Sequence, residues 1–304
     1  MSQVEILDSR LEAVLLPETQ AVKLVTGAQW SEGPLWIEEQ DCVIWSDIPN
    51  NRVLRWSEKE GLSEWKSPAN FTNGRFRDPE GNVIHCSHGG RSIERSDIDG
   101  NHFETIVDSY QGRKLNSPND VVVKSDGTIW FTDPPYGILS NDEGFKAESE
   151  LKDNYVFRFD PASKALDIVT DLIEEPNGLA FSADEKTLFI SDTSAALRED
   201  GTGNHHIMAF DVIDNASLAN PRLFAEVSPG LSDGFRLDEN DWVYTSSDDS
   251  IQIIHSDGTL LGKVFVPEKV GNCCFGGKDR NILYVAGSTS LYKIEFNTRG
   301  IQKP

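Results

Sequence analysis

Six times along the chain an acidic or amide residue precedes a Gly, Asp or Cys at the head of a strand-like run. The pairs are Glu32-Gly33, Asn73-Gly74, Asn119-Asp120, Asn177-Gly178, Asp233-Gly234 and Asn272-Cys273. Successive anchors lie 41, 46, 58, 56 and 39 residues apart, the interval at which internal repetition marks propeller blades or solenoid arrays. In the third copy the strand at 121–123 leads through the turn Ser125-Asp126-Gly127 into a second strand at 129–132. A third strand follows in every copy, at 52–56, 92–95, 155–159, 206–210, 251–254 and 291–296, and a fourth precedes the next anchor, as at 103–107 and 221–227. Such a unit is a four-stranded meander, the blade of a propeller. The pattern therefore predicts an all-β chain, a six-bladed β-propeller of four-stranded antiparallel blades.

The termini refine this. Nothing strand-like follows Phe296, whereas residues 21–25 read as a fourth strand with no blade of their own. They are expected to complete the blade begun at Asn272, closing the ring and removing an open edge. Residues 1–304 thus read as one propeller domain, with 1–20 as an N-terminal extension on the outside and at most a short helical turn at 11–16.

In a propeller the first strand of each blade lines the central channel, so the six anchors are expected to crowd one end of it. Two carboxylates and four amides offer only oxygen donors, which suits a hard divalent cation, calcium foremost. An ion would also relieve the repulsion of two carboxylates held together in a channel. Asn-Gly and Asp-Gly pairs are strong turn formers as well. Yet the third and sixth copies keep the first residue and change the second, so the anchor side chain is what recurs. On the residues alone, a catalytic and a structural ion stand equally open.

A net charge of −22 over 304 residues disfavours nucleic acid and anionic membranes as partners and favours cations. The start of the chain lacks the basic and apolar regions of a cleavable signal, and no stretch approaches membrane-spanning length. Four cysteines, two of them adjacent at 273 and 274, form no CxxC and no disulfide framework. Buried thiols and a cytoplasmic location are the expectation; the oligomeric state is not indicated. There is no Gly-x-Ser-x-Gly elbow and no phosphate loop, and Gly201-Thr202-Gly203 lies in a polar insertion with no helix to follow. His88-Gly89-Gly90 reads as a turn, and His205-His206 as a strand start with one ring in solvent. Asp47, Asp133 and Asp192 recur fourteen or fifteen residues after their anchors and read as Asx-turn or packing residues.

Five segments taken in order carry a resemblance: Ser31-Glu32-Gly33-Pro34, residues 115–120, residues 130–137, residues 175–182 and Ser232-Asp233-Gly234. With their blade spacing they resemble the SMP-30/gluconolactonase/LRE family, most closely its bacterial gluconolactonases, from about residue 22 to residue 296. The resemblance implies one catalytic divalent metal in the channel mouth, with Glu32, Asn177 and Asp233 as ligands and Asn119 as a ligand or substrate contact. Calcium leads, with magnesium, manganese, zinc and ferrous iron also accepting these donors. The activity implied is hydrolysis of a sugar lactone, gluconolactone or a related aldonolactone, to the aldonic acid. The metal polarises the carbonyl, and Asp233 acts as acid/base or orients the attacking water. Asn73, His88 and Tyr136 join Asn119 as expected substrate contacts. Some animal members place an arginine where Ser117 stands, so that contact does not carry over. A phosphotriesterase-like metal hydrolase and a non-catalytic propeller with structural calcium are the alternatives.

Overall fold

A computed structural model describes residues 3–198 and 200–301. Six antiparallel sheets follow one another along the chain as the blades of a propeller. The first blade comprises Ser31–Ile37, Cys42–Asp47, Arg52–Ser57 and Gly61–Lys66. The next three begin at Thr72–Arg77, Val121–Val123 and Pro176–Phe181, each with three further strands in sequence order. The fifth begins at Phe235–Leu237 and the sixth at Val270–Gly276. These innermost strands contact their neighbours round the ring, the last lying against Ser31–Ile37.

Strand Val22–Thr26 pairs antiparallel with Ser290–Glu295 and forms the outer edge of the sixth sheet. The N-terminal segment does more than lie on the outside. Val4–Ile6 adds a fifth strand to the fifth sheet by pairing with Leu260–Phe265, and a 3-10 helix at Ser9–Ala13 buries Leu11 beneath it. Among the described residues no helix is long and apolar enough to cross a membrane.

The core lies between blades. Alternating strand positions send Ile84, Cys86 and Ile93 of the second blade against Val121, Phe131 and Phe157 of the third. Val43, Trp45 and Leu54 of the first meet Cys274, Tyr284 and Leu291 of the sixth in the same way, with Trp36 stacked on Tyr284 at 5.3 Å. Each large side chain buried so contributes roughly 1.5–3 kcal/mol. All four cysteines are buried free thiols, as expected of a chain without a disulfide framework.

Candidate active site at the channel end

Four anchors lie inside their first strands at breaks in register: Glu32 before Leu35, Asn73 before Arg75, Asn177 before Leu179, and Asn272 after Val270. A β-bulge re-aims the side chain it carries, so the anchors are not simple turn residues. Asn119 and Asp233 stand just ahead of theirs. Behind each of three anchors the aspartate at the end of the second strand holds the incoming loop. Asp47, Asp133 and Asp192 accept from the backbone N–H of Gln29 (2.8 Å), Asn116 (2.8 Å) and Glu174 (3.0 Å). These bonds reach 17 or 18 residues back along the chain, the packing role read from the sequence and not a local Asx-turn; of the three, Asp192 also closes such a turn, accepting from Ser194 N (3.0 Å).

The anchors are knitted to one another through the backbone. The N–H of Gly74 donates to Asn119 O (2.8 Å), that of Gly178 to Asp233 O (2.9 Å) and that of Gly234 to Gly271 O (2.8 Å). A Cβ at Gly33 would sit 2.3 Å from Asn73 O, at Gly178 2.3 Å from Asp233 O, and at Gly234 2.0 Å from Asn272 Cγ. Of these three only Gly33 has a positive φ, at 49°. The glycine after the anchor is there chiefly so that neighbouring blades can touch. Where it is replaced, the substitute has work of its own: Asp120 pairs with Arg236, and the Cys273 thiol lies 3.4 Å from Tyr244 O.

Glu32, Asn73, Asn119, Asn177 and Asn272 are all buried, whereas Asp233 keeps part of its surface accessible. Glu32 Oε2 accepts from Gly33 N (3.0 Å) and Asn272 Nδ2 (3.2 Å); Oε1 has no donor. Burial first, and Asp233 second, push the Glu32 carboxyl well above the usual carboxylate range. Burial likewise raises Asp233 from 3.8 to about 7, opposed by Lys269 and assisted by Glu143 and Asp120. Lys269 stands at the rim, 3.5 Å from Asp248 and over the Trp30 ring.

His88 and Tyr136 have their polar atoms engaged by protein. His88 is fully buried, and burial lowers its pKa to about 4, so the ring is neutral. Its Nδ1 faces the carbonyl of Glu143 (2.9 Å), which can only accept; the proton is therefore on Nδ1, and Nε2 accepts from Asn73 Nδ2 (3.3 Å). That bond turns Asn73 Oδ1 away, and Oδ1 has no partner. Tyr136 Oη meets Thr193 Oγ1 (2.6 Å), which in turn accepts from Asn177 Nδ2 (3.2 Å). Both residues thus orient an anchor amide from behind.

Below the anchors the channel holds charges that the repeat pattern did not reveal. Arg75 is fully buried, donating to Gly33 O and to Ser46 Oγ (2.5 Å), and burial lowers its pKa to about 10. Arg236 reaches from the fifth blade to Asp120 of the third (3.3 Å), both 1% exposed. The one signal in the sequence was an arginine two or three residues past its anchor, in strands otherwise built for burial.

A model of the SMP-30/gluconolactonase/LRE-like region matches residues 30–289. The chain belongs to this family. A gluconolactonase of Zymomonas mobilis is 30% identical, over 96% of this chain and 85% of its own. A pentonolactonase of Haloferax volcanii is 25% identical over 86% and 82%. The solved structure of a gluconolactonase from Xanthomonas campestris superposes with a TM-score of 0.88 at 39% identity, covering 96% of this chain and 94% of that one.

Proposed function

We propose that this member of the family hydrolyses a sugar lactone at the anchor end of the channel, with Asp233 as acid/base. The observation that carries the reading is a pair of buried oxygens without donors, Glu32 Oε1 and Asn73 Oδ1, beside a second carboxylate. A buried acceptor left unmatched costs about 1–3 kcal/mol, so the site is built for something that supplies positive charge or O–H groups. Among the described residues no three of His, Cys, Asp or Glu gather as a metal-holding group. A cation here would accordingly rest on Glu32 and Asp233 together with the amide oxygens of Asn119 and Asn177, an oxygen-only set that fits calcium and other hard dications. When bound, such an ion polarises the lactone carbonyl. The gluconolactonase and pentonolactonase relatives support a sugar lactone as the substrate class.

Asp233 accepts a proton from the water whose oxygen adds to the carbonyl carbon. The bond from that carbon to the ring oxygen then breaks, and the proton passes to the ring oxygen, leaving the hydroxy acid. Asn73 Oδ1, held outward by His88, accepts from a sugar hydroxyl, while Asn119 binds beside the reacting group. His88 and Tyr136 act by positioning, through Asn73 and through Thr193 to Asn177.

Acid release followed by pH-stat on gluconolactone, a pentonolactone and a fluorophosphate, with chelated protein and each dication restored in turn, tests the reading. Turnover of a sugar lactone that stops on chelation is expected. No acid release with any pair of lactone and metal would remove it.

The ion can also be detected without turnover. Because Asp233 is raised from 3.8 to about 7, the folded, ion-free protein keeps a proton that the unfolded chain has already lost. This contribution makes stability fall as pH climbs from about 4 to about 7. A dication that displaces the proton should therefore stabilise more at pH 8 than at pH 5. At a hundredfold excess over its dissociation constant the gain is about 2.7 kcal/mol, roughly 5 °C in calorimetry for a chain of this size. Equal shifts at the two pH values would argue against a carboxylate-held ion.

A further inference from the structure

The loop that follows the short helix Tyr136–Leu139 packs against the anchor end of the second blade. Ala147 N closes it onto Ile138 O (3.0 Å), and Phe145 meets Phe71 edge-on, ring centres 5.3 Å apart, two residues before the Asn73 anchor. A Cβ at Gly137 would sit 2.6 Å from His88 Cβ, so the loop is pressed onto that histidine. The carbonyl of Glu143 accepts from His88 Nδ1 (2.9 Å), the ring whose other nitrogen orients Asn73. The main chain at Glu143 is thereby fixed one imidazole ring away from the Asn73 amide.

The carboxylate of Glu143 has no role in holding the loop. It is half-buried, burial and then Asp142 raise it above the usual carboxylate range, and among the described residues no hydrogen bond or ion pair engages it. Its charge nevertheless reaches the site: after burial, Glu143 is the strongest influence raising Asp233, ahead of Asp120. Yet among the described residues no three of His, Cys, Asp or Glu gather closely enough to share an ion, so Glu143 does not join Glu32 and Asp233 as a ligand. A carboxylate felt by the reacting group but apart from its ion belongs beside the body of a substrate, not beside its carbonyl. On the other side of His88, Asn73 Oδ1 is a second acceptor without a donor. Two such acceptors match a compound that brings several O–H groups, whereas an anion would meet repulsion from Glu143.

We propose that Glu143 is a substrate-recognition residue of the lactone site, its carboxylate accepting from one hydroxyl of the sugar while Asn73 Oδ1 accepts from another. The assignment rests on the lactone reading for its substrate class. A hydroxyl remote from the carbonyl is bound alike before and during the reaction, so the contact acts on KM and leaves kcat alone.

Glu143→Gln tests this, because it keeps the shape and the main-chain bond to His88 and removes only the charge that makes the acceptor strong. KM for gluconolactone is expected to rise about tenfold with kcat held within about twofold, while kcat/KM for δ-valerolactone, a lactone ring without hydroxyls, stays within about twofold. Glu148→Gln removes the same charge from an exposed position of the same loop and should alter neither substrate. An unchanged KM for gluconolactone, or an equal loss on δ-valerolactone, would overturn the proposal. Calorimetric titration of the full chain with 1,5-anhydroglucitol, a sugar ring without the carbonyl, reads the same contact without turnover. Glu143→Gln is expected to weaken its binding about tenfold; equal affinity in the two proteins, or no saturable binding to the unaltered chain up to about 50 mM, would also overturn it. A chain that released no acid from any lactone but bound anhydroglucitol through Glu143 would remove the lactone reading and leave the sugar contact in place.

Discussion

Asp233→Asn is expected to lower kcat/KM for the preferred lactone by about 10^3, within the range of 10^2–10^4 set by removing a positioned acid/base. The same change should stabilise the ion-free protein above pH 7. Asn keeps the shape and one oxygen of Asp233 but removes the charge that helps raise Glu32. Stability and activity therefore move in opposite directions, which an unfolded or misfolded variant cannot imitate. The dication-dependent thermal shift should shrink in parallel, because one of the two anchor carboxylates is gone. If lactone turnover survived at a tenth of its original value or more, Asp233 would have to be demoted from base to ligand.

Gly178→Ala is the second change expected to have a large effect, and its reason is not backbone conformation. Gly178 is not among the glycines with positive φ, so alanine suits its backbone. The added methyl would nevertheless lie 2.3 Å from Asp233 O and 3.0 Å from Gly234 Cα, both main-chain atoms of the next blade. Overpacking against atoms that cannot rotate away costs about 1–3 kcal/mol, and relief requires the fourth and fifth blades to part where Asp233 is held. A displacement near 1 Å at a reacting group can cost about 100-fold in rate. Gly127→Ala provides the contrast: its φ is 84°, yet nothing lies within 4 Å of the new Cβ. That variant should lose stability while keeping its activity. Equal activity losses in both variants would show that the anchor glycines do not act through the approach of neighbouring blades.

The blades were legible because their signals are local. Strand, polar turn and strand recur at the intervals of a propeller, and Asp47, Asp133 and Asp192 each hold a loop only 17 or 18 residues away. The short strand Val4–Ile6 escaped notice because its partner, Leu260–Phe265, lies at the other end of the chain and three residues carry no periodicity. His88 and Tyr136 could be placed near the anchors, but which atoms they engage depends on Glu143 and Thr193, in loops that no spacing brings together. Arg75, Asp120 and Arg236 were visible as charged residues near anchors; their union in one layer of the channel was not.

The sequence by itself determined the number of blades, the identity of the six anchors and the oxygen-only chemistry they offer, since these follow from repetition and residue type. Only the tertiary structure decided what surrounds each anchor. Partners across a channel belong to blades far apart in the chain, and burial, which sets the charge state of Glu32, Asp233 and His88, is a property of the assembled ring. The glycines show the difference most directly. In the sequence they resemble turn residues; in the fold all four, Gly33, Gly74, Gly178 and Gly234, mark the places where one blade touches the next.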